Sequence, residues 1–221
     1  MKNDVGPPRI HLYIYRLLID RFPMIPYSSD PTLIMSDEYS MLRGFYDAVE
    51  ALLDAPQHVL FSTHETISGW SPAEHLYHIL LSNGKSLKAA RLAAVDRGPT
   101  VHEGTPNDIG KRVLDEGSFG DLEAEAPSSV RPPRDLSRMD LRTAYQRSRN
   151  QFEALHEHVP NLPEADARLP HPAFGPLRAS EWLCFARIHS DHHQDIVQQI
   201  LNAARSQSAS TAAQAPKMAT T

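Results

Sequence analysis

The sequence predicts an all-α protein, a four-helix bundle with a long crossover between its second and third helices. Four separate stretches repeat apolar residues at three- and four-residue steps, the stripe of an amphipathic helix. One of them opens on a complete capping signal, and no β-pattern competes with them.

The first stripe runs from Asp37 to Asp54 through Met41, Leu42, Phe45, Val49, Leu52 and Leu53. The second helix starts at Ser71-Pro72-Ala73-Glu74, a serine cap with proline at the first helical position and glutamate at the third. It reaches about Asp96, where Gly98-Pro99 ends it: glycine suits the left-handed cap and proline cannot continue the helix. Residues 98–140 are rich in glycine and proline without a repeating apolar period, and read as the crossover. Leu141, Tyr145, Phe152, Leu155 and Val159 form the third stripe, stopped by Pro160 and Pro163. The fourth runs from Ala179 to about Ala204, with Trp182, Phe185, Ile196, Val197 and Ile200 on its inner face.

The bundle is therefore expected over residues 36–204. Residues 1–35 carry five prolines and no sustained period and read as an appendage outside the core, with Met35 as the functional start. Residues 205–221 have nothing to bury and read as a disordered tail. The apolar run Ile10 to Ile25 is broken by Arg16, Asp20, Arg21 and Pro23, too short and charged to span a bilayer, and is not read as a secretory signal.

Net charge is −5 and the 22 Lys and Arg residues are scattered, so nothing suggests nucleic acid or a membrane surface as partner. The single cysteine, Cys184, excludes an intrachain disulfide and any multi-cysteine zinc site, and fits a cytoplasmic protein. It reads as a small buried hydrophobe rather than a reactive thiol. A metal would have to be held by histidine and carboxylate.

Histidine spacing points to such a site. His189 and His193 are four apart, so their imidazoles share one helix face, one turn apart. They continue the stripe of Trp182, Phe185, Ile196 and Ile200, where a core helix would carry Leu or Ile. Two unpartnered imidazoles are costly there, and one divalent ion accepting both nitrogens relieves that cost. His78, about two turns into the capped second helix, is the best third ligand, with His75 its rival on that helix and His192 the rival on the fourth. Three imidazoles leave coordination positions open, as in catalytic sites.

The segment Trp70-Ser71-Pro72-Ala73-Glu74-His75-Leu76-Tyr77-His78 resembles the Trp-Ser-x-x-Glu-x-x-x-His motif of the DinB/YfiT-like superfamily of metalloenzymes. His189-Ser190-Asp191-His192-His193-Gln194 is similar to its second motif, whose first and fifth positions bind metal. His171-Pro172-Ala173-Phe174-Gly175-Pro176-Leu177 and Glu181-Trp182 resemble a run in one branch of that superfamily. The resemblance covers roughly residues 36–204. It implies an up-down-down-up bundle, often dimeric, holding one divalent ion such as zinc, nickel, iron or manganese through His78, His189 and His193. Relatives include S-transferases using low-molecular-weight thiols, maleylpyruvate isomerase and proposed metal-dependent hydrolases. Two features depart from it or stay open. Arg178 stands where relatives cap the fourth helix with Thr or Ser, leaving that task to Ser180 or to the preceding turn. His171 is either a turn residue beside Pro172 or a group near the site.

Two functions follow as expectations. The first is a metal-dependent hydrolase or thiol S-transferase acting on a small molecule, in which the ion activates water or a thiol. The crossover arginines Arg112, Arg131 and Arg134 would then recognise an anionic co-substrate, unless the crossover is merely a solvated cover. The alternative is a non-catalytic, metal-stabilised bundle serving as a dimerisation or stress-response module.

Overall fold

The structure is a computed structural model describing residues 29–122 and 125–214, with side chains through Ser206. Most of the expected N-terminal appendage and the end of the expected tail lie outside the described residues. Among the described residues, no helix is long and apolar enough to cross a membrane.

Helix α1 spans Pro31–Leu52. It starts six residues before its stripe because Asp30 caps it, accepting from the Thr32 N–H at 2.9 Å, with proline in the first turn. Met35 and Tyr39 are already buried in this early part. After one turn of helix, α2 at Gln57–Leu60, comes α3 at Pro72–Ala94. Its expected capping box is present: Ser71 Oγ accepts from the Glu74 N–H, and the Glu74 carboxylate accepts from the Ser71 N–H at 2.8 Å.

The crossover is not structureless. It contains helix α4, Asp108–Glu116, and a single 3-10 turn at Ser128–Val130. Asn107 caps α4, and Gly117, at φ 62°, ends it in the left-handed conformation. Gly110 lets α4 dock closely, since a Cβ there would lie 2.8 Å from that of Phe174. A nine-residue helix with two buried side positions is too short to show a period among so many glycines and prolines.

Helix α5, Arg138–Leu155, continues as a 3-10 segment, His156–Glu164, that tolerates Pro160 and Pro163 and still buries Val159 and Leu162. An antiparallel hairpin follows, β1 at Arg168–His171 and β2 at Gly175–Arg178, with Leu169 opposite Leu177. This small hairpin is an addition to the all-α frame that the sequence did not announce. Four-residue strands that carry Pro170 and Pro176 give no readable alternation. β2 runs directly into α6, Ala179–Gln214, which extends past the expected end near Ala204. The Glu181 carboxylate accepts from the Arg178 N–H at 2.7 Å, so glutamate and hairpin together set the start that Arg178 cannot cap.

The core lies between the four long helices. α3 packs chiefly on α6 and α5, and α1 packs on α6 and the 156–164 segment. Leu42, Leu76, Leu80, Leu141 and Leu155 are buried almost completely, each contributing roughly 1.5–3 kcal/mol relative to exposure. Tyr39 stacks on Phe152 with centroids 4.2 Å apart, and the Tyr46 hydroxyl meets Ser148 Oγ at 2.6 Å, fastening α1 to α5. Arg187 of α6 donates to Glu38 of α1 at 2.6 Å. The helices that carry the histidines, α3 and α6, are thus the most extensively paired.

Candidate metal centre

Helix α3 brings His75 and His78 to the surface that α6 covers, and α6 brings His189 and His193 to meet them. His78, His189 and His193 form a group in which one ring nitrogen from each lies within 4.8 Å of the others. His78 Nε2 and His189 Nε2 are 3.1 Å apart. His78 and His189 are buried, while His193 is partly exposed and marks the open side of the group.

The hydrogen bonds around the rings fix the proton of His78 and constrain the others. His78 Nδ1 lies 2.9 Å from the Val130 carbonyl, which can only accept, so the proton is on Nδ1 and Nε2 carries a lone pair. His193 Nδ1 lies 3.0 Å from His75 Nδ1, leaving Nε2 of His193 for the group. His75 Nε2 is 2.8 Å from Ser68 Oγ. His189 Nδ1 is buried without a hydrogen-bond partner among the described residues.

Electrostatics keep these rings neutral. Burial is the main cause that lowers the pKa of His78 and of His193 from the usual 6.5, and that lowers His189 well below it. Neighbouring imidazoles push His189 and His193 further in the same direction. His75 falls to about 4, again mainly by burial. Neutral imidazoles are the form in which histidine binds a metal, and the Nε2 lone pair of His78 already faces the group. The 3.1 Å between His78 Nε2 and His189 Nε2 is close to the roughly 3.3 Å separating two nitrogens on one tetrahedral zinc. The donor set therefore fits a divalent ion.

The other histidines have different surroundings. His75 touches His193 from behind, outside the group of three. The His192 ring lies beside Phe119, centroids 5.3 Å apart, and is likewise outside it. His171 is a turn residue: its Nδ1 accepts from the Ala173 and Phe174 N–H groups at 3.2 and 3.1 Å, closing the hairpin. Its ring also packs on Trp182 and Phe185, and Phe185 stacks on His189.

Three participants left no mark in the sequence pattern. Val130 acts through its carbonyl, which no side-chain motif records. Phe119, a lone aromatic in the crossover, packs within 5.8 Å of the His189 ring centroid. Ser68 sits in the turn before α3 and also accepts from the Trp70 N–H at 3.1 Å. The Trp70 ring lies against His75, His78 and His193.

The crossover arginines do not converge on the histidines in this way. Arg131 pairs with Glu125 at 2.6 Å, and Arg112 and Arg134 are exposed. Cys184 packs against the core, and burial, followed by the Glu38 charge, pushes its thiol pKa up. A separate open cleft between α1 and α5 is lined by Tyr39, Arg43, Arg149 and His156, none of them in the histidine group.

The structure is that of a helical bundle in which three imidazoles from two adjacent helices converge on a group that could hold a metal ion. The chain is a member of the DinB superfamily, whose family model matches residues 41–197. That span includes all three histidines. No curated protein and no solved structure matches the chain.

Proposed function

We propose that this protein is a metal-dependent enzyme, of hydrolase or thiol S-transferase type, with His78, His189 and His193 as ligands of one divalent ion. The observation that carries this reading is the set of three neutral imidazoles with no fourth His, Cys or carboxylate grouped with them among the described residues. Three protein ligands are the pattern of sites that leave a position for substrate or water. An ion held there, whether zinc, nickel, iron or manganese, would act as a Lewis acid and lower the pKa of a coordinated water or thiol.

The chain's own groups supply the rest. Val130 fixes the His78 tautomer, Phe119 and Phe185 pack on His189, and the partly exposed His193 is the side from which a small molecule would approach. A low-molecular-weight thiol is the favoured co-substrate, and a homodimer is the favoured assembly.

Metal analysis and cobalt substitution test this. About one ion per chain is expected, lost in His189→Ala and in His193→Ala, and the cobalt spectrum should change when a small thiol or anion is added. Full metal content in both variants would refute the ligand set. A cobalt spectrum indifferent to every thiol and anion, in a protein that unfolds on chelation, would favour the non-catalytic, metal-stabilised bundle instead.

A further inference from the structure

We propose that His75 is a positioning residue for His193: its Nδ1 accepts the Nδ1 proton of His193 and so keeps the His193 Nε2 lone pair free for the ligand group. The proposal rests on the metal reading above, because the ligand role of His193 is what selects between the two proton placements the contact allows; the placement itself can be read without metal.

The two rings meet through their Nδ1 atoms at 3.0 Å, so one nitrogen must donate and the other accept. Two directions are possible. If His75 donated, its Nε2 would accept from the Ser68 hydroxyl, and His193 would carry its own proton on Nε2, pointing at the group. That proton would block the atom that can join His78 and His189. In the opposite direction His193 Nδ1–H donates to His75 Nδ1, and His75 Nε2–H donates to Ser68 Oγ at 2.8 Å. Ser68 Oγ already accepts from the Trp70 N–H, and a hydroxyl oxygen has two lone pairs, so it can take both.

This second direction makes His193 match His78. His78 gives its Nδ1 proton to the Val130 carbonyl, and its Nε2 faces His189. Each of these two rings then has its far N–H bound to an acceptor, the arrangement that fixes tautomer and ring orientation in metal-binding histidines. Burial of His75, only 3% exposed, keeps water from replacing the bond. Its ring is also held edge-on by Trp70, centroids 5.4 Å apart.

Two measurements on the full chain test the proposal. In the metal-free protein, nitrogen-15 NMR of the imidazoles should show His193 protonated on Nδ1, and His75→Leu should shift it toward the Nε2–H form. Zinc titration should then show roughly 10–100-fold weaker affinity in His75→Leu, the usual effect of losing such an acceptor. His75→Asn, whose Oδ1 takes the place of the ring Nδ1, should return to within about threefold of the parent. A His193 proton found on Nε2 in the parent protein would overturn the proposal, as would His75→Leu binding zinc as tightly as the parent. Loss of zinc in both His75 variants as complete as in His193→Ala would make His75 a ligand and equally overturn it. If the parent binds no zinc but His193 is protonated on Nδ1 and His75→Leu moves that proton, the metal reading fails and the positioning role stands.

Discussion

His78 donates its Nδ1 proton to the carbonyl of Val130, 2.9 Å away and 52 residues further along the chain. This bond ties the crossover to the histidine group. A segment that reads as glycine- and proline-rich covering thereby determines which nitrogen of a candidate ligand is free.

Val130→Pro should separate this role from folding. The Val130 N–H donates to the Pro127 carbonyl at 3.0 Å, closing the 3-10 turn, and proline removes that donor. The displaced carbonyl should weaken zinc binding by roughly 10–100-fold, while the far-ultraviolet circular dichroism of the four long helices stays unchanged. Parental zinc affinity in this variant would show that the carbonyl does not orient His78.

The beginning of α1, capped by Asp30 ahead of Met35, gives a second expectation. A chain beginning at Ser29 keeps the Asp30 cap and the first helical turn; one beginning at Met35 loses both, together with the packing of Ile34 on the core. Loss of the cap alone costs about 0.5–2 kcal/mol. The shorter chain should therefore melt several degrees below the longer one, at about 2–4 °C per kcal/mol for a domain of this size. Equal melting temperatures would show that the turn adds nothing.

These cases show what the sequence carried. The i, i+4 pair of His189 and His193 and the capping box at Ser71 are local features, and both were legible because helix geometry alone relates the residues. The choice among His75, His78 and His192 was not local. It depends on how α3 rotates against its neighbours, and in the structure His78, not His75 or His192, is grouped with His189 and His193. The hairpin was hidden because its turn is held by contacts from elsewhere: the Asn107 N–H donates to the Phe174 carbonyl and the Asn107 side chain to the Ala173 carbonyl, each at 2.8 Å. Val130 and Phe119 belong to the same category, since long-range docking of the crossover brings them to the histidines.

Ser190, next to His189, gives a third expectation. Asn83 of α3 is fully buried and donates to Ser190 Oγ at 2.8 Å, and Ser190 donates in turn to the Ala186 carbonyl. Ser190→Ala strips a buried amide of its acceptor, which costs about 1–3 kcal/mol. Urea denaturation of the metal-free protein should register that loss. Because this bond joins the two histidine helices, zinc affinity should also decline; an unchanged midpoint would mean that Asn83 finds another acceptor.

The last expectation concerns pH and His171, whose pKa burial lowers to about 4. The neutral ring is required by the turn, since its Nδ1 lone pair accepts from the Ala173 and Phe174 N–H groups. In the unfolded chain the imidazole has its ordinary pKa near 6.5. Between pH 6.5 and about 4 the unfolded state therefore binds more protons than the folded one, so stability rises with pH across that window. The contribution is fully present above the unfolded value and drains away as pH falls toward the folded one. With a shift of this size the loss is at most about 3 kcal/mol. His171→Asn keeps an acceptor oxygen near the position of Nδ1 but does not titrate. Denaturation of the metal-free parent and variant across pH 4–8 isolates the histidine from the other buried imidazoles, which both proteins share. The stability of the parent relative to the variant should be flat above about pH 7 and fall steadily below 6.5. A difference independent of pH would mean that the folded ring titrates as it does in the unfolded chain, contrary to its burial against Phe174, Trp182 and Phe185.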